Sequence, residues 1–289
     1  MKLHFLNVGA AKCGTTTIHN ILIQHPQICI PLEKDFHFFD NDINYAKGLK
    51  SYESFFNPNH DKVISGEISA TYLYSEQALK RIVENFGTDI KILLILRNPA
   101  LRCFSEYLHQ KRHGKIEGFN INEYFKKNKQ IDKNMPFYDV LIGRGLYFHH
   151  MRKFIDAFGK SNIKISFLEN LKENPESVAK DILEFLQVNP NESLNVNLVS
   201  NSKIIVKNKK FHKLFYSEKR NVLRNVLRII VPSFKIREGI RVFFKTLNKK
   251  NDNFETISQE LKTYLLSTLY KEDIEKLEIF MNNKIKIWN

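Results

Sequence analysis

The stretch GAAKCGTTT, residues 9–17, follows the apolar-leaning run FLNV and leads into residues spaced as a helix. A glycine turn between a strand and a helix aims successive backbone N–H groups, with the positive end of the helix dipole, at one point, and so makes a cradle for a phosphate-like anion. That order of strand, turn and helix commits the chain to an α/β architecture. A nucleoside triphosphatase loop would set a lysine directly after the second glycine, then a Ser or Thr to hold magnesium. Here Lys12 comes two residues before Gly14, and Thr15 stands where that lysine would be. Anion binding is therefore expected without the magnesium-nucleotide signature. The competing reading, a tight turn with no ligand, leaves the displaced lysine unexplained.

Short β-rich runs alternate with helix-length amphipathic stretches, the rhythm of a parallel sheet with helices on its faces. Strands are expected at residues 3–8, 28–31, 62–67, 91–96 and 163–167. The fourth, KILLIL, is apolar on both faces and fits a central parallel strand. Ile18, Ile21, Leu22 and His25 share a helical face before Pro26, as Leu79, Ile82, Val83 and Phe86 do before Gly87. Past Arg97, Asn98 and Pro99 open another helix, because proline suits a first helical turn. Residues 126–136 read as a polar surface loop, 175–186 as a helix, 190–202 as a linker and 258–281 as one or two closing helices. The expected fold is a three-layer α/β domain, like the P-loop nucleotide-binding proteins, with about five parallel strands. Residues 1–187 would form the anion-binding core of this single domain, and residues 188–289 a basic helical subdomain.

Lys12, Gly14, Thr15 and Thr16 match the pattern K-x-G-T-T/R, and Arg97, Asn98, Pro99, Arg102, Ser105 and Tyr107 match R-D/N-P-x-x-R-x-x-S-x-Y. In these two elements the chain resembles the sulfotransferases that use 3′-phosphoadenosine 5′-phosphosulfate (PAPS), in particular the branch that sulfates carbohydrates such as heparan sulfate. HPQICIPLEKDFHFFD is similar to the family stretch in which a carboxylate stands two residues before H-F-F, and GEISATYLY is similar to G-E-x-S/T-P-x-Y. The run from Arg144 to Pro175, and the ending IEKLEIFMNNKIKIW, also resemble the family's last strand and C-terminal helix.

The resemblance implies transfer of a sulfuryl group from PAPS to a hydroxyl or amine of a carbohydrate or glycolipid, with 3′-phosphoadenosine 5′-phosphate (PAP) released and no metal required. Lys12 would then offset charge on the leaving phosphate, with the amides of Cys13, Gly14, Thr15, Thr16 and Thr17 around the phosphosulfate. Arg97 and Ser105 would hold the 3′-phosphate, Arg97 through a two-pronged pair. Asp35, two residues before His37, takes the place of the family's base. The family usually has Glu there, so Glu33 and Glu67 stand as alternative bases and His37 as an orienting group. Ile68 and Ala70 also depart from the family, which often has lysine and usually proline at those positions.

The net charge of +14 is concentrated in one place: residues 207–250 hold fourteen basic and two acidic side chains, leaving +2 for the rest of the 289 residues. Arg220, Arg224 and Arg228, then Arg237, Arg241 and Lys245, recur beside apolar positions, as in basic amphipathic helices. Core packing, an anionic membrane surface or an acidic polymer would each suit them. A membrane-proximal or lipid-linked sugar acceptor fits better than nucleic acid, for which no motif accompanies the charge. Cys13, Cys29 and Cys103 have no metal or disulfide spacing, and the first residues are too short an apolar run for a leader, so a cytoplasmic, peripheral protein is expected. His109 and His113 share a helical face but lack the glutamate of H-E-x-x-H. Two other functions stay open on the residues alone, a nucleotide kinase or phosphotransferase and a cofactor-binding protein without transfer activity.

Overall fold

In the computed structural model, which describes residues 2–56, 64–196, 205–206, 249–250 and 255–288, five short strands pair in parallel. They are β1 (Phe5–Gly9), β2 (Ile28–Cys29), β3 (Ile64–Ile68), β4 (Lys91–Leu96) and β5 (Ile163–Phe167), in the spatial order β2-β3-β1-β4-β5. The helices between them are α1 (Thr15–Leu22), α2 (Asp42–Tyr45), α3 (Leu49–Glu53), α4 (Glu76–Phe86), α5 (Pro99–Arg112), α6 (Ile121–Asn128), α7 (Tyr138–Leu141) and α8 (Tyr147–Phe158). After β5 come α9 (Leu168–Glu173), α10 (Pro175–Leu186), α11 (Gln259–Tyr264) and α12 (Lys271–Met281). This is the expected three-layer α/β fold.

β4 lies between β1 and β5, and Ile92, Leu93, Leu94 and Leu96 are fully buried, as a strand covered on both faces requires. Each such side chain contributes about 1.5–3 kcal/mol by leaving water. The chain runs to one side after β1 and to the other after β4, so a crevice opens beyond the carboxyl ends of these two strands. Such a switch point is where open parallel sheets bind ligands. The loops that follow β1 and β4 carry Lys12 and Arg97.

Strand boundaries move by a few residues from those expected. β2 is only Ile28–Cys29 and not 28–31, and β1 and β3 each end one residue later than read. Helix α1 stops at Leu22, so His25 is not on its face. The residue before a proline avoids helical geometry, and the chain turns ahead of Pro26. His25 is instead buried with Nε2 2.9 Å from the Asn189 carbonyl.

The stretch 126–136 is not simply a loop. Its first three residues finish α6, whose start is capped by Asn120 Oδ1 accepting from the amides of Asn122 and Glu123, and Ile131 and Met135 are buried anchors. The linker is tied down in part as well, since Gln24 and Asn195 exchange side-chain-to-backbone bonds of 3.0 and 3.1 Å.

The chain forms two compact units. The first is Met1–Tyr107, Asn120–Ser200 and Ile257–Asn289, and the second is Leu108–Phe119 and Asn201–Thr256. The closing helices thus belong with the sheet, and the division at 187/188 does not follow this grouping. Asp273 on α12 accepts from the Phe148 and His149 amides at 2.9 Å and so caps α8. Trp288 is buried, and its carbonyl accepts from Asn98 Nδ2 at 3.0 Å.

In the second unit, Ile205–Val206 pairs antiparallel with Lys249–Lys250. The amphipathic pattern around Arg220, Arg224, Arg228, Arg237, Arg241 and Lys245 lies outside the described residues. Among the described residues no helix is long and apolar enough to cross a membrane, and no cluster of three or more His, Cys, Asp or Glu could hold a metal ion. The rings of His109 and His113 lie tilted at 57° with centroids 4.4 Å apart.

Candidate active site

The loop after β1 is a self-bonded turn. The Ala10 amide donates to Ile95 O at 2.9 Å, Cys13 to Ala10 O at 3.2 Å and Thr17 to Gly14 O at 2.9 Å. The main-chain amides of Cys13 and Thr17, two of the five groups expected around the anion, are therefore committed within the loop and helix. Helix geometry leaves those of Gly14, Thr15 and Thr16 without an intrahelical acceptor. Gly14 takes a left-handed φ of 96° as N-cap, no side chain caps α1, and its first turn holds no acid. A Cβ on Gly14 would stand 2.7 Å from Leu168 Cδ1, so both backbone angle and close packing call for glycine. A helix end with such amides and the positive end of the dipole is suited to an anion.

The loop residue Lys12 and the strand-end residue Arg97 are bonded to each other at that end. Lys12 has φ of 69°, and its carbonyl accepts from Arg97 Nη1 at 3.4 Å. Arg97 directly follows β4 and is partly buried. Asn98 Oδ1 then accepts from the amides of Ala100 and Leu101, both at 3.1 Å, and starts α5, on which Ser105 is partly exposed.

The other candidate residues lie beyond the carboxyl end of β3. Asp35 and His37 both have left-handed backbone angles, φ of 58° and 51°, a strained arrangement for residues with side chains. Asp35 Oδ1 accepts from the Ala70 amide at 2.8 Å, Oδ2 pairs with Lys34, and the side chain keeps 28% exposure. His37 Nδ1 lies 3.2 Å from Asp40 Oδ2, which also accepts from Thr71 Oγ1 at 2.7 Å. The Asp40 bond raises the His37 pKa above its ordinary value. Asp40 itself is held below the usual carboxylate range: burial pushes it up, and the bonds from His37 and Thr71 outweigh that.

Glu33 is exposed. Glu67 is fully buried, its two oxygens accepting from Tyr52 and Tyr72 hydroxyls at 2.8 Å each. The Tyr72 oxygen in turn accepts from the Phe38 and Phe39 amides at 3.3 and 3.5 Å. Glu67 thus braces the segment that carries Asp35 and His37 from beneath.

A family profile described as a sulfotransferase domain matches residues 2–225. The chain belongs to the sulfotransferase family.

Among curated relatives, the Mus musculus bifunctional heparan sulfate N-deacetylase/N-sulfotransferase 4 is 32% identical over 197 residues, 64% of this chain and 22% of that protein. The Mus musculus heparan sulfate glucosamine 3-O-sulfotransferase 5 is 28% identical over 186 residues, 63% of this chain and 53% of its own. The chain therefore spans less than two thirds of either relative. A solved sulfotransferase from Alicyclobacillus acidocaldarius superposes with a TM-score of 0.63 at 23% identity, covering 100% of this chain and 99% of that one, a likeness of fold.

Sequence reasoning named Glu67 as an alternative base but did not single out Asp40 or the tyrosines Tyr52 and Tyr72 that bond to Glu67. The i, i+3 spacing from His37 was a signal for Asp40. Nothing local signalled that Glu67 would be buried.

Burial pushes Glu67 up to about 7 against the pull of the two tyrosine bonds. Its folded pKa thus lies above the unfolded value of 4.5, and the associated stability, full at pH 4.5, is lost as pH rises to about 7. Glu67→Gln, which stays neutral, should lack about 3 kcal/mol of that decline. Urea unfolding of both proteins at pH 4.5 and 7.5 measures this, and parallel pH slopes would exclude a buried ionisation at Glu67.

Proposed function

We propose that this chain transfers a sulfuryl group from PAPS to a hydroxyl or amine of a carbohydrate. The carrying observation is the uncapped, acid-free start of α1, with the Arg97 guanidinium bonded to the Lys12 carbonyl, inside the segment that matches the family. These residues fit an anionic donor: three amides, a helix dipole and two cations, with no carboxylate in the first turn of the helix.

When bound, the donor supplies the sulfuryl group and a phosphate leaving group. Gly14, Thr15 and Thr16 would hold its 5′ end through their amides. Lys12 would offset charge on the departing phosphate oxygen, and Arg97 and Ser105 would hold the 3′-phosphate, which sets this donor apart from ordinary nucleotides. Asp35 would take the acceptor's proton as the new bond to sulfur forms, with His37, oriented by Asp40, beside it.

The relatives' names support a sugar acceptor, a glucosamine nitrogen or hydroxyl being the chemistry they point to. The +12 stretch 207–250 further supports an acceptor at an anionic surface, a lipid-linked sugar being one such case.

Thermal-shift titration tests the donor assignment. PAP should stabilise the protein, at 100 times its Kd by about 2.7 kcal/mol, while adenosine 5′-phosphate at the same concentration should do far less. Equal shifts by the two would remove Arg97 and Ser105 from the 3′-phosphate role. A larger shift by ATP with magnesium would favour a kinase.

A further inference from the structure

Arg102 is fully buried on α5. Its Nη2 donates to the carbonyls of Leu141 and, at 3.2 Å, Val140, while Nε and Nη1 have no hydrogen-bond partner among the described residues. No carboxylate among the described residues pairs with it. Taking a guanidinium out of water without a counter-ion is costly, so an uncompensated one calls for an anion supplied from elsewhere.

Its surroundings are mostly neutral polar groups, with the buried Glu106 one turn along α5 also acting on Cys103 and Arg144 lying over the Tyr74 ring at 4.9 Å. Arg102 acts electrostatically on Tyr74, Tyr147, Tyr270 and Cys103. Burial raises the three tyrosines above their ordinary range and pushes the Cys103 thiol up to about 12, so all four keep their protons at neutral pH.

The same ring of groups lines the back of the anion loop. Tyr74 Oη accepts from the Ala11 amide at 3.2 Å. Tyr147 Oη lies 3.4 Å from Cys13 Sγ and donates to the Arg97 carbonyl at 2.8 Å. At the Cys13 thiol, after burial and the Tyr147 bond, the pull of Arg102 exceeds that of Arg97.

We propose that Arg102 is an electrostatic residue of the donor site, a buried unpaired cation behind the loop whose field, not its contact, attracts the anion held by Gly14, Thr15 and Thr16. It rests on the reading of that loop as an anion site. The field acts on any phosphate there, whereas Arg97 acts on the 3′-phosphate. Removing Arg102 weakens PAP and adenosine 5′-phosphate together, and removing Arg97 weakens PAP alone.

The experiment is calorimetric titration of PAP and adenosine 5′-phosphate into the native protein, Arg102→Met and Arg102→Lys, with melting temperatures alongside. Arg102→Met should lose about tenfold or more in affinity for both ligands. A buried lysine sheds its proton more readily than arginine, so the affinity of Arg102→Lys for PAP should fall relative to native between pH 6 and 9 (roughly the range over which buried lysines titrate).

Affinity of folded Arg102→Met within twofold of native for both ligands overturns the proposal. So does an Arg102→Lys profile parallel to native, or failure of both variants to fold, which would place the residue's role in the fold. Failure of the native protein to bind PAP would instead remove the donor reading beneath it.

Discussion

Replacing Lys12 with alanine will lower the turnover of sulfuryl transfer by ~10²- to 10³-fold and weaken PAP binding far less. The reason lies in when its charge counts. Before reaction the donor's charges are shared among several groups, but as the bond to sulfur breaks, negative charge gathers on one phosphate oxygen. A cation placed there stabilises the transition state more than the ground state. The fold holds Lys12 in a left-handed turn, its carbonyl tied to Arg97. Single-turnover rates and PAP affinity on the same preparation separate the two effects. A variant that lost affinity and rate in equal measure would mean that Lys12 only binds.

Asp35→Asn should leave PAP affinity intact and lower transfer by ~10²-fold or more, since the amide keeps the shape but takes no proton. A near-native rate would shift the role to His37 or Glu33. A second substitution probes how the carboxylate is held. The Ala70 amide that Asp35 accepts does not exist in proline, the residue the sulfotransferase pattern has at that position. Two departures from the pattern, a shorter acid and a residue with an N–H, therefore meet in one hydrogen bond. Asp35→Glu and Ala70→Pro should each reduce activity, and the double variant should retain more than the product of the two losses predicts. Strictly multiplicative losses would show the two sites to be independent.

The glycine loop was legible because its chemistry is local: strand, turn and helix start lie within one short stretch, and the displaced lysine belongs to it. β4 and β5 fall at the residues read from sequence, for β4 is apolar on both faces and has no competing period. The end of α6 was hidden by charge, since KKNK reads as loop unless the Asn120 cap is noticed first.

The segment of Asp35 and His37 stood out in sequence, but its supports did not. Asp35 and His37 stand in a short motif, but the hydroxyl that holds their segment comes from Tyr72 on another part of the chain. Arg102 illustrates the limit. On α5 it reads as one more helix cation, and only the return of residues 140–142 and Tyr270 across it removes it from water. Such burial arises from tertiary closure and leaves no trace in periodicity.

The pairing of β1 with β3 acts as a ruler. β1 runs into the donor loop, and β3 carries Glu67 and delivers Ala70 and Tyr72, which hold the Asp35 segment. Leu6 stands opposite Glu67, and Asn7 opposite Ile68. The spacing between the Asp35 segment and the loop after β1 is thus laid off along one hydrogen-bonded edge. Its graduation is coarse, about 3.3 Å for each residue of slip, while transfer tolerates only about 1 Å. Sliding the strands cannot set so fine a distance; side-chain length at the tip can, and Asp35 on the Ala70 amide shows where such an adjustment would be made.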